Sequence, residues 1–226
     1  MPTPLPQERI VAVVPVRGLE GAKSRLGGVL DAEERRDLVS TLLRRVVEAA
    51  AATPGVTEVV VVSPDPEALE LAASTGARPL RQSGMGLNEG LEAARVDVLA
   101  DGPAALLVLP ADLPTIEPGS IEAILKRGGP SPAVVLVPDR HGRGTNALLL
   151  APATIIDFAF GGDSRAEHAT RACAAGARYE EVDAGLGLDL DTSDDLLILE
   201  ADRAAGLSIA AHPEAAPERD TGTRGR

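Results

Sequence analysis

Five short runs of apolar residues constrain the fold of this chain more than any other feature. They lie at 10–16, 59–62, 105–109, 133–137 and 147–150, and several are rich in valine. Continuous apolar runs of this length are typical of strands that are covered on both faces, as in a parallel sheet. Aromatic residues make up only 1% of the chain, so the predicted core consists of Val, Leu, Ile and Ala side chains.

Helical patterns separate these runs. We predict helices at 32–52, 66–75, 88–100, 118–126, 165–175 and 193–205. The alternation of strands and helices favours a three-layer α/β/α domain with a mostly parallel, mixed sheet. A length of 226 residues suits one such domain, which we place at 9–208. The proline-rich segment 1–8 and the polar segment 209–226 are predicted to be disordered tails.

The charge balance disfavours one class of function, nucleic-acid binding. The chain has 22 basic and 34 acidic residues and a net charge of −12, which repels a phosphate backbone and disfavours nucleic-acid binding. An anionic ligand would therefore need a local basic cluster or a metal ion.

No apolar run approaches the roughly 18 residues of a membrane span, so we expect a cytoplasmic protein. The single cysteine, Cys173, is predicted to be a buried or half-buried core thiol and not a nucleophile.

The loop after the first strand is a candidate phosphate site. It combines three cations, Arg17, Lys23 and Arg25, with Gly18 and Gly21. Glycines let a backbone approach phosphates closely, and open α/β sheets receive phosphorylated ligands after their first strand. The spacing differs from that of a P-loop. An ordinary solvated loop explains the same residues.

Three aspartates are candidate metal ligands. Asp112 follows the third apolar run between two prolines, where it would project from the carboxyl end of a central strand. Asp189 and Asp191 alternate with leucines, so an extended segment would place both carboxylates on one face, about 6.6 Å apart. Such a pair repels unless a cation lies beside it. The alternatives are a turn for Asp112 and helix capping for the pair.

Two glycine-and-hydroxyl segments are weaker candidates for an anion site. One is 142–146, which contains Thr145 and opens a strand, and the other is 158–164, which contains Gly161 and Ser164 and opens a helix. Exposed backbone donors and a helix start suit a carboxylate or a phosphate. Turn and N-cap chemistry explains each segment equally well.

Taken in order, five segments resemble the guanylyltransferases that make the deazaflavin coenzyme F(420). The segments are P-V-R-G-L-E-G-A-K-S-R-L, L-P-A-D-L-P, G-R-G-T-N, F-G-G-D-S and L-D-L-D-T. The resemblance extends from about residue 11 to 199, and the ordered set is far more specific than any one segment. That family activates 2-phospho-L-lactate or phosphoenolpyruvate with GTP.

The resemblance implies a Rossmann-like nucleotidyltransferase fold and a role for each matching residue. It implies that Asp112, Asp189 and Asp191 hold two Mg²⁺ ions and are catalytic together with Lys23. It implies that Thr145, Gly161 and Ser164 hold the phosphorylated acid. It further implies nucleotide binding by five residues: Arg17, Gly18, Lys23, Arg25 and Asn88. Arg17 departs from the lysine expected there, and His168 matches the family without an assigned role.

Several alternatives stay open at this point. The acid could be phosphoenolpyruvate, 2-phospho-L-lactate or 3-phosphoglycerate, and the residues do not fix guanine over other bases. A rival hypothesis is another nucleotidyltransferase of the same fold that acts on a molybdenum cofactor or a sugar phosphate. A third is a catalytically silent nucleotide-binding module. A homodimer is possible.

Overall fold

The computed structural model describes residues 9–19, 23–84, 86–102 and 104–204, and the side chains of this part up to residue 201. The described strands are β1 (Ile10–Pro15), β2 (Val56–Ser63), β3 (Arg78–Arg81), β4 (Ala105–Val108), β5 (Ala133–Pro138), β6 (Thr145–Ala151) and β7 (Arg178–Glu181). The described helices are α1 (Ala32–Ala52), α2 (Pro66–Ser74), α3 (Leu87–Ala100), α4 (Pro118–Gly128), α5 (Ser164–Ala174) and α6 (Ser193–Ala204). A short 3₁₀ turn spans Ser24–Leu26.

The strands form one mixed sheet in the order β3-β2-β1-β4-β6-β5-β7. Strand β1 pairs in parallel with β2 and β4, whereas β6 runs antiparallel to both β4 and β5. The chain moves outward from β1 to β3 and then crosses to β4 on the other side of β1. The strand order therefore reverses between β1 and β4, which is where open α/β sheets bind their ligands.

Apolar side chains cover the sheet on both faces. On one face Val14 and Leu107 pack with Leu43 of α1 and Ile121 of α4. On the other face the alternate strand residues pack with α3 and α5, and Leu91 belongs to that cluster. The predicted three-layer α/β/α fold with a mostly parallel, mixed sheet is confirmed.

Local sequence explains where two of the helices begin. Asp31 and Glu34 form a reciprocal capping box at the start of α1, in which each side chain accepts a backbone N–H of the other residue. The missing N–H of Pro66 is harmless in the first turn of α2, and Asp65 caps that helix through the N–H of Glu67.

The sequence predicted the five inner strands and missed the two edge strands. Only β3 and β7 lack a buried apolar run, and both carry arginines or glutamates. An edge strand has a neighbour on one side only and is commonly charged, which opposes association with other sheets. The apolar-run criterion therefore finds only the covered strands.

Cys173 lies exposed on α5, so the prediction of a core thiol is wrong. The helix directs its neighbour Ala172 into the core instead. Both predicted tails lie outside the described residues, as does the predicted domain end at 208. Within the described part, no helix has the length and hydropathy to cross a membrane. Cytoplasmic location and a possible homodimer stay predictions.

The central strands carry the stability of the domain, and Leu107 on β4 tests this. Its side chain is fully buried, so Leu107→Ala should lower the free energy of unfolding by about 2–5 kcal/mol. Urea denaturation measures the change. The matched control is Leu197→Ala on α6, where the residue is 63% exposed and a change within about 0.5 kcal/mol is expected. Equal losses for the two variants would contradict this account of the core.

Candidate active site

A cleft of about 500 Å³ lies beyond the carboxyl ends of β1 and β4. Seven of the predicted site residues line it: Arg25, Asp112, Thr145, Gly161, Ser164, Asp189 and Asp191. They come from positions 25 to 191 of the chain, so the fold brings together what the sequence separates. The cleft lies at the point where the strand order reverses.

Lys23 joins two of the predicted aspartates. Its ammonium nitrogen lies 2.6 Å from a carboxylate oxygen of Asp112 and 2.6 Å from one of Asp191. The Lys23 side chain is only 9% exposed. Burial by itself lowers the pKa of Lys23, but the two carboxylates outweigh burial, so this pKa lies above its usual value and the lysine is charged.

The backbone brings these side chains into place. Lys23 has a left-handed backbone with φ of 55° directly before the 3₁₀ turn. The N–H of Leu190 donates to the carbonyl of Asp112 over 3.1 Å, which fastens the segment of Asp191 to the loop after β4. Leu190 is fully buried, so the predicted alternation holds: leucine faces the interior and the aspartates lie along the cleft.

The pKa of Asp189 is raised by its burial and by the two neighbouring carboxylates. Burial raises its pKa above the usual value, and the negative charges of Asp112 and Asp191 raise it further. A hydrogen bond with Asn146 opposes this shift. The three predicted metal ligands are therefore close enough to repel one another, which is the electrostatic condition that a cation relieves.

These residues fit a hard divalent cation by type and by charge. Carboxylate oxygens are the ligands that Mg²⁺ prefers, and the ion pair shows that positive charge is held between Asp112 and Asp191. Across the described residues, no three acidic, histidine or cysteine side chains converge on a single ion position. The binding of two Mg²⁺ ions stays a prediction.

A buried network that the sequence reading missed supports Asp191. Asp195, which is 2% exposed, accepts the N–H groups of Asp191 and Thr192 at 2.9 and 2.6 Å. Thr192 and Asp195 form a capping box at the start of α6, so the Asp191 side chain is not used for capping. Arg140 pairs with Asp195 over 2.6 Å. The T-x-x-D spacing signals the cap, whereas no local pattern signals Arg140.

A second part of the cleft wall carries two hydroxyls. Thr145 begins β6 and Ser164 begins α5, and their oxygens lie 3.0 Å apart. His168, one turn further along α5, lies 3.1 Å from the Thr145 hydroxyl through Nδ1 and accepts the N–H of Ala159 through Nε2. This wall carries neutral donors where the carboxylate wall carries negative charge.

The loop after β1 is held from below by Asp65. The second carboxylate oxygen of this helix cap accepts the N–H of Leu19 over 2.8 Å, and the Gly18 Cα hydrogens face the same side chain. Arg17 is exposed, and like Gly18 and Lys23 it lies outside the cleft lining, whereas Arg25 belongs to it. Residues 20–22 of this loop, with the predicted Gly21, lie outside the described part.

The Asn88 side chain forms hydrogen bonds with the backbone of Phe160. Its amide donates to the Phe160 carbonyl at 3.1 Å and accepts the Phe160 N–H at 2.9 Å. Phe160 lines the cleft near Gly161. Asn88 therefore fixes one part of the cleft wall, and its direct contact with a nucleotide stays a prediction.

Comparison with known proteins identifies a family. Residues 10–202 match the sequence family described as "Guanylyl transferase CofC like". The chain is 48% identical over 193 residues to a phosphoenolpyruvate guanylyltransferase from Rubrobacter xylanophilus, covering 85% of this chain and 94% of that protein. It is 45% identical over 199 residues to the protein of the same name from Sphaerobacter thermophilus, covering 88% and 96%.

Solved structures show the same fold at low sequence identity. A nucleotidyl transferase from Methanothermobacter superposes with a TM-score of 0.64 at 18% identity, covering 88% of this chain and 99% of that one. The likeness supports the Rossmann-like nucleotidyltransferase architecture.

His168 should make stability sensitive to mild acid. Burial lowers its pKa from 6.5 to about 4, with a smaller contribution from Arg171, so the unfolded chain takes up this proton first. The stability is present above pH 6.5 and is lost as the pH falls towards 4. Between pH 7.5 and pH 5 the loss due to His168 should be about 2 kcal/mol.

Urea denaturation at both pH values measures this loss in the unmodified protein and in His168→Gln. Both proteins lose stability through their other titrating groups, so the difference between the two losses isolates His168. An equal loss in both proteins would show that His168 is not buried in its neutral form.

Proposed function

The chain belongs to the family of CofC-like guanylyl transferases and is a nucleotidyltransferase, and on this premise we propose that it joins the GMP part of GTP to phosphoenolpyruvate and releases pyrophosphate. The observation that carries the proposal is the cleft whose lining combines Asp112 and Asp191, both paired with Lys23, with the hydroxyls of Thr145 and Ser164. We infer from the family resemblance that the product serves coenzyme F(420) biosynthesis.

The preference for phosphoenolpyruvate over 2-phospho-L-lactate has its support in the relatives. Those from Rubrobacter and Sphaerobacter both carry the name phosphoenolpyruvate guanylyltransferase, and the chain covers nearly their whole length. The hydroxyl wall of Thr145 and Ser164 suits a carboxylate or phosphate, because hydroxyls can donate to anions without adding charge.

The reaction balances without a general base. A phosphate oxygen of phosphoenolpyruvate forms a bond to the α-phosphorus of GTP, and the bond from that phosphorus to the β-phosphate oxygen breaks. A phosphate monoester with a second pKa near 6 is largely dianionic at pH 7, so the attacking oxygen already carries the electron pair. Pyrophosphate leaves with the pair of the broken bond.

The side chains of the cleft bring two anions together and hold them in line. Lys23 uses two of its three ammonium hydrogens on Asp112 and Asp191 and has the third for a phosphate oxygen. Arg25 lines the cleft and can bind phosphate oxygens through its planar fork. Orientation of two reactants that repel each other is itself a large part of such catalysis.

Asp112, Asp189 and Asp191 would hold the magnesium ions. Bound Mg²⁺ would neutralise phosphate charge and so lower the repulsion between GTP and the acid. This role agrees with the raised pKa of Asp189, which burial and then the charges of Asp112 and Asp191 cause.

Replacement of Asp112 tests the carboxylate wall. Asp112→Asn keeps the shape of the side chain and removes its charge, so kcat/KM for pyrophosphate release should fall at least about 100-fold. A coupled pyrophosphate assay with GTP and phosphoenolpyruvate measures it. Asp37→Asn, an exposed site on α1, is the matched control and should retain full activity. A fully active Asp112→Asn would sink the assignment.

The products test the substrates directly. Each of GTP, CTP and UTP is incubated with phosphoenolpyruvate, 2-phospho-L-lactate, 3-phosphoglycerate or a sugar phosphate, and mass spectrometry identifies the products. We expect a GMP adduct of phosphoenolpyruvate as the main product. Preferred use of CTP or UTP with a sugar phosphate would favour the rival transferase of the same fold.

Removal of divalent metal tests the proposed ions. Treatment with EDTA should abolish product formation, and excess Mg²⁺ should restore it, because the cleft alone supplies too little positive charge for two phosphorylated substrates. Undiminished activity in EDTA would contradict the magnesium proposal and leave the guanylyl transfer itself standing.

A further inference from the structure

His168 has no place in the proposed reaction, yet both of its ring nitrogens form hydrogen bonds beside the cleft. The side chain is fully buried in α5. Nε2 accepts the backbone N–H of Ala159 over 3.1 Å, and Nδ1 lies 3.1 Å from the hydroxyl oxygen of Thr145. A buried imidazole needs a partner at each nitrogen, and here one of the two partners is a hydroxyl that lines the cleft.

The bond from Ala159 fixes the position of the ring proton. A backbone N–H can only donate, so Nε2 must present its lone pair and carries no hydrogen. In the neutral ring the hydrogen then lies on Nδ1. His168 therefore donates to the Thr145 hydroxyl and cannot accept from it.

This donation determines what the hydroxyl pair can offer the cleft. Thr145 and Ser164 are 6% and 2% exposed, lie 3.0 Å apart and both line the cleft. If Ser164 donates to Thr145, the Thr145 hydrogen is left for the cleft. If Thr145 donates to Ser164, the Ser164 hydrogen is left instead. In either arrangement one O–H donor faces the ligand.

We propose that His168 is a positioning residue that makes the Thr145–Ser164 pair a hydrogen-bond donor to the phosphorylated acid. This inference deepens the proposed function and rests on it. An anion accepts hydrogen bonds and offers none, so a hydroxyl pair free to rotate would be a poorer partner than one whose hydrogen is directed at the anion.

The surroundings hold the ring in this orientation. The Phe160 ring meets the imidazole edge-on, with centroids 5.1 Å apart. The Phe160 backbone is in turn bonded in both directions to the Asn88 amide. Thus Asn88, Phe160 and Ala159 together fix the His168 ring, and His168 fixes the hydroxyls.

Two substitutions separate positioning from simple packing. In His168→Asn the side-chain amide can take the place of Nδ1 and donate to Thr145, but it lacks an acceptor for Ala159. In His168→Gln the longer amide can place its oxygen at the Nε2 position and accept from Ala159, but its NH₂ donor is then not held at the Nδ1 position beside Thr145. Both variants remove the ring, so the two share the loss of packing.

We expect the two variants to differ in their KM for phosphoenolpyruvate. His168→Gln should raise it about tenfold or more, the effect of a hydrogen bond to a charged group. His168→Asn should stay within about threefold of the unmodified protein, and the KM for GTP should change little in either. Equal rises in both variants, or an equal rise in the two KM values, would overturn the positioning role.

A measurement without turnover keeps the inference separate from the proposed reaction. The chain has three histidines, and His168 is assigned in ¹⁵N NMR spectra as the signal that His168→Gln removes. Its ring nitrogens should report the neutral form with hydrogen on Nδ1. Hydrogen on Nε2 would overturn the inference. An unmodified protein that makes no adduct would overturn the proposed function, while the NMR result would still decide the orientation of the ring.

Discussion

The ion pair of Lys23 with Asp112 and Asp191 is the interaction on which the rest of the cleft depends. It joins residues that are 89 and 168 positions apart in the chain and come from three different segments. A side chain that is 9% exposed cannot keep its charge without such partners, because burying an unpaired ion costs several kcal/mol. The loop after β1, the end of β4 and the segment before α6 therefore hold one another in place.

Local sequence patterns predict much of the fold but only part of the site. Valine runs gave the covered strands because burial on both faces requires them, but the charged edge strands β3 and β7 carry no such signal. The sequence predicted Asp112 because it follows an apolar run, and Asp189 and Asp191 because they alternate with leucines. The sequence assigned no role to Asp65 or His168. Their roles depend on contacts with Leu19 and Thr145, which no local spacing reveals.

The two walls of the cleft differ in their electrostatics. One wall carries three carboxylates, and burial together with the charges of Asp112 and Asp191 raises the pKa of Asp189. The other carries neutral hydroxyls on a histidine whose pKa of about 4 keeps it uncharged at neutral pH. The first wall can attract cations and, through them, polyphosphate, whereas the second can recognise an anion without competing for those cations. The same cleft can thus bind two negatively charged reactants by different means, one through cations and the other through hydroxyls.

The reversed direction of β6 has a consequence for how such clefts diversify. Because β6 is antiparallel to β4, its first residue, Thr145, arrives at the edge where the parallel strands finish. Of the residues proposed to hold the acid, Thr145 thus belongs to the hairpin between β5 and β6, whereas Ser164 opens α5. The Lys23 and Asp112 segments belong to other connections. Evolution can lengthen, shorten or recompose that hairpin without moving β1 against β4. One ancestral scaffold could in this way acquire new acceptor molecules while its nucleotide chemistry stayed intact.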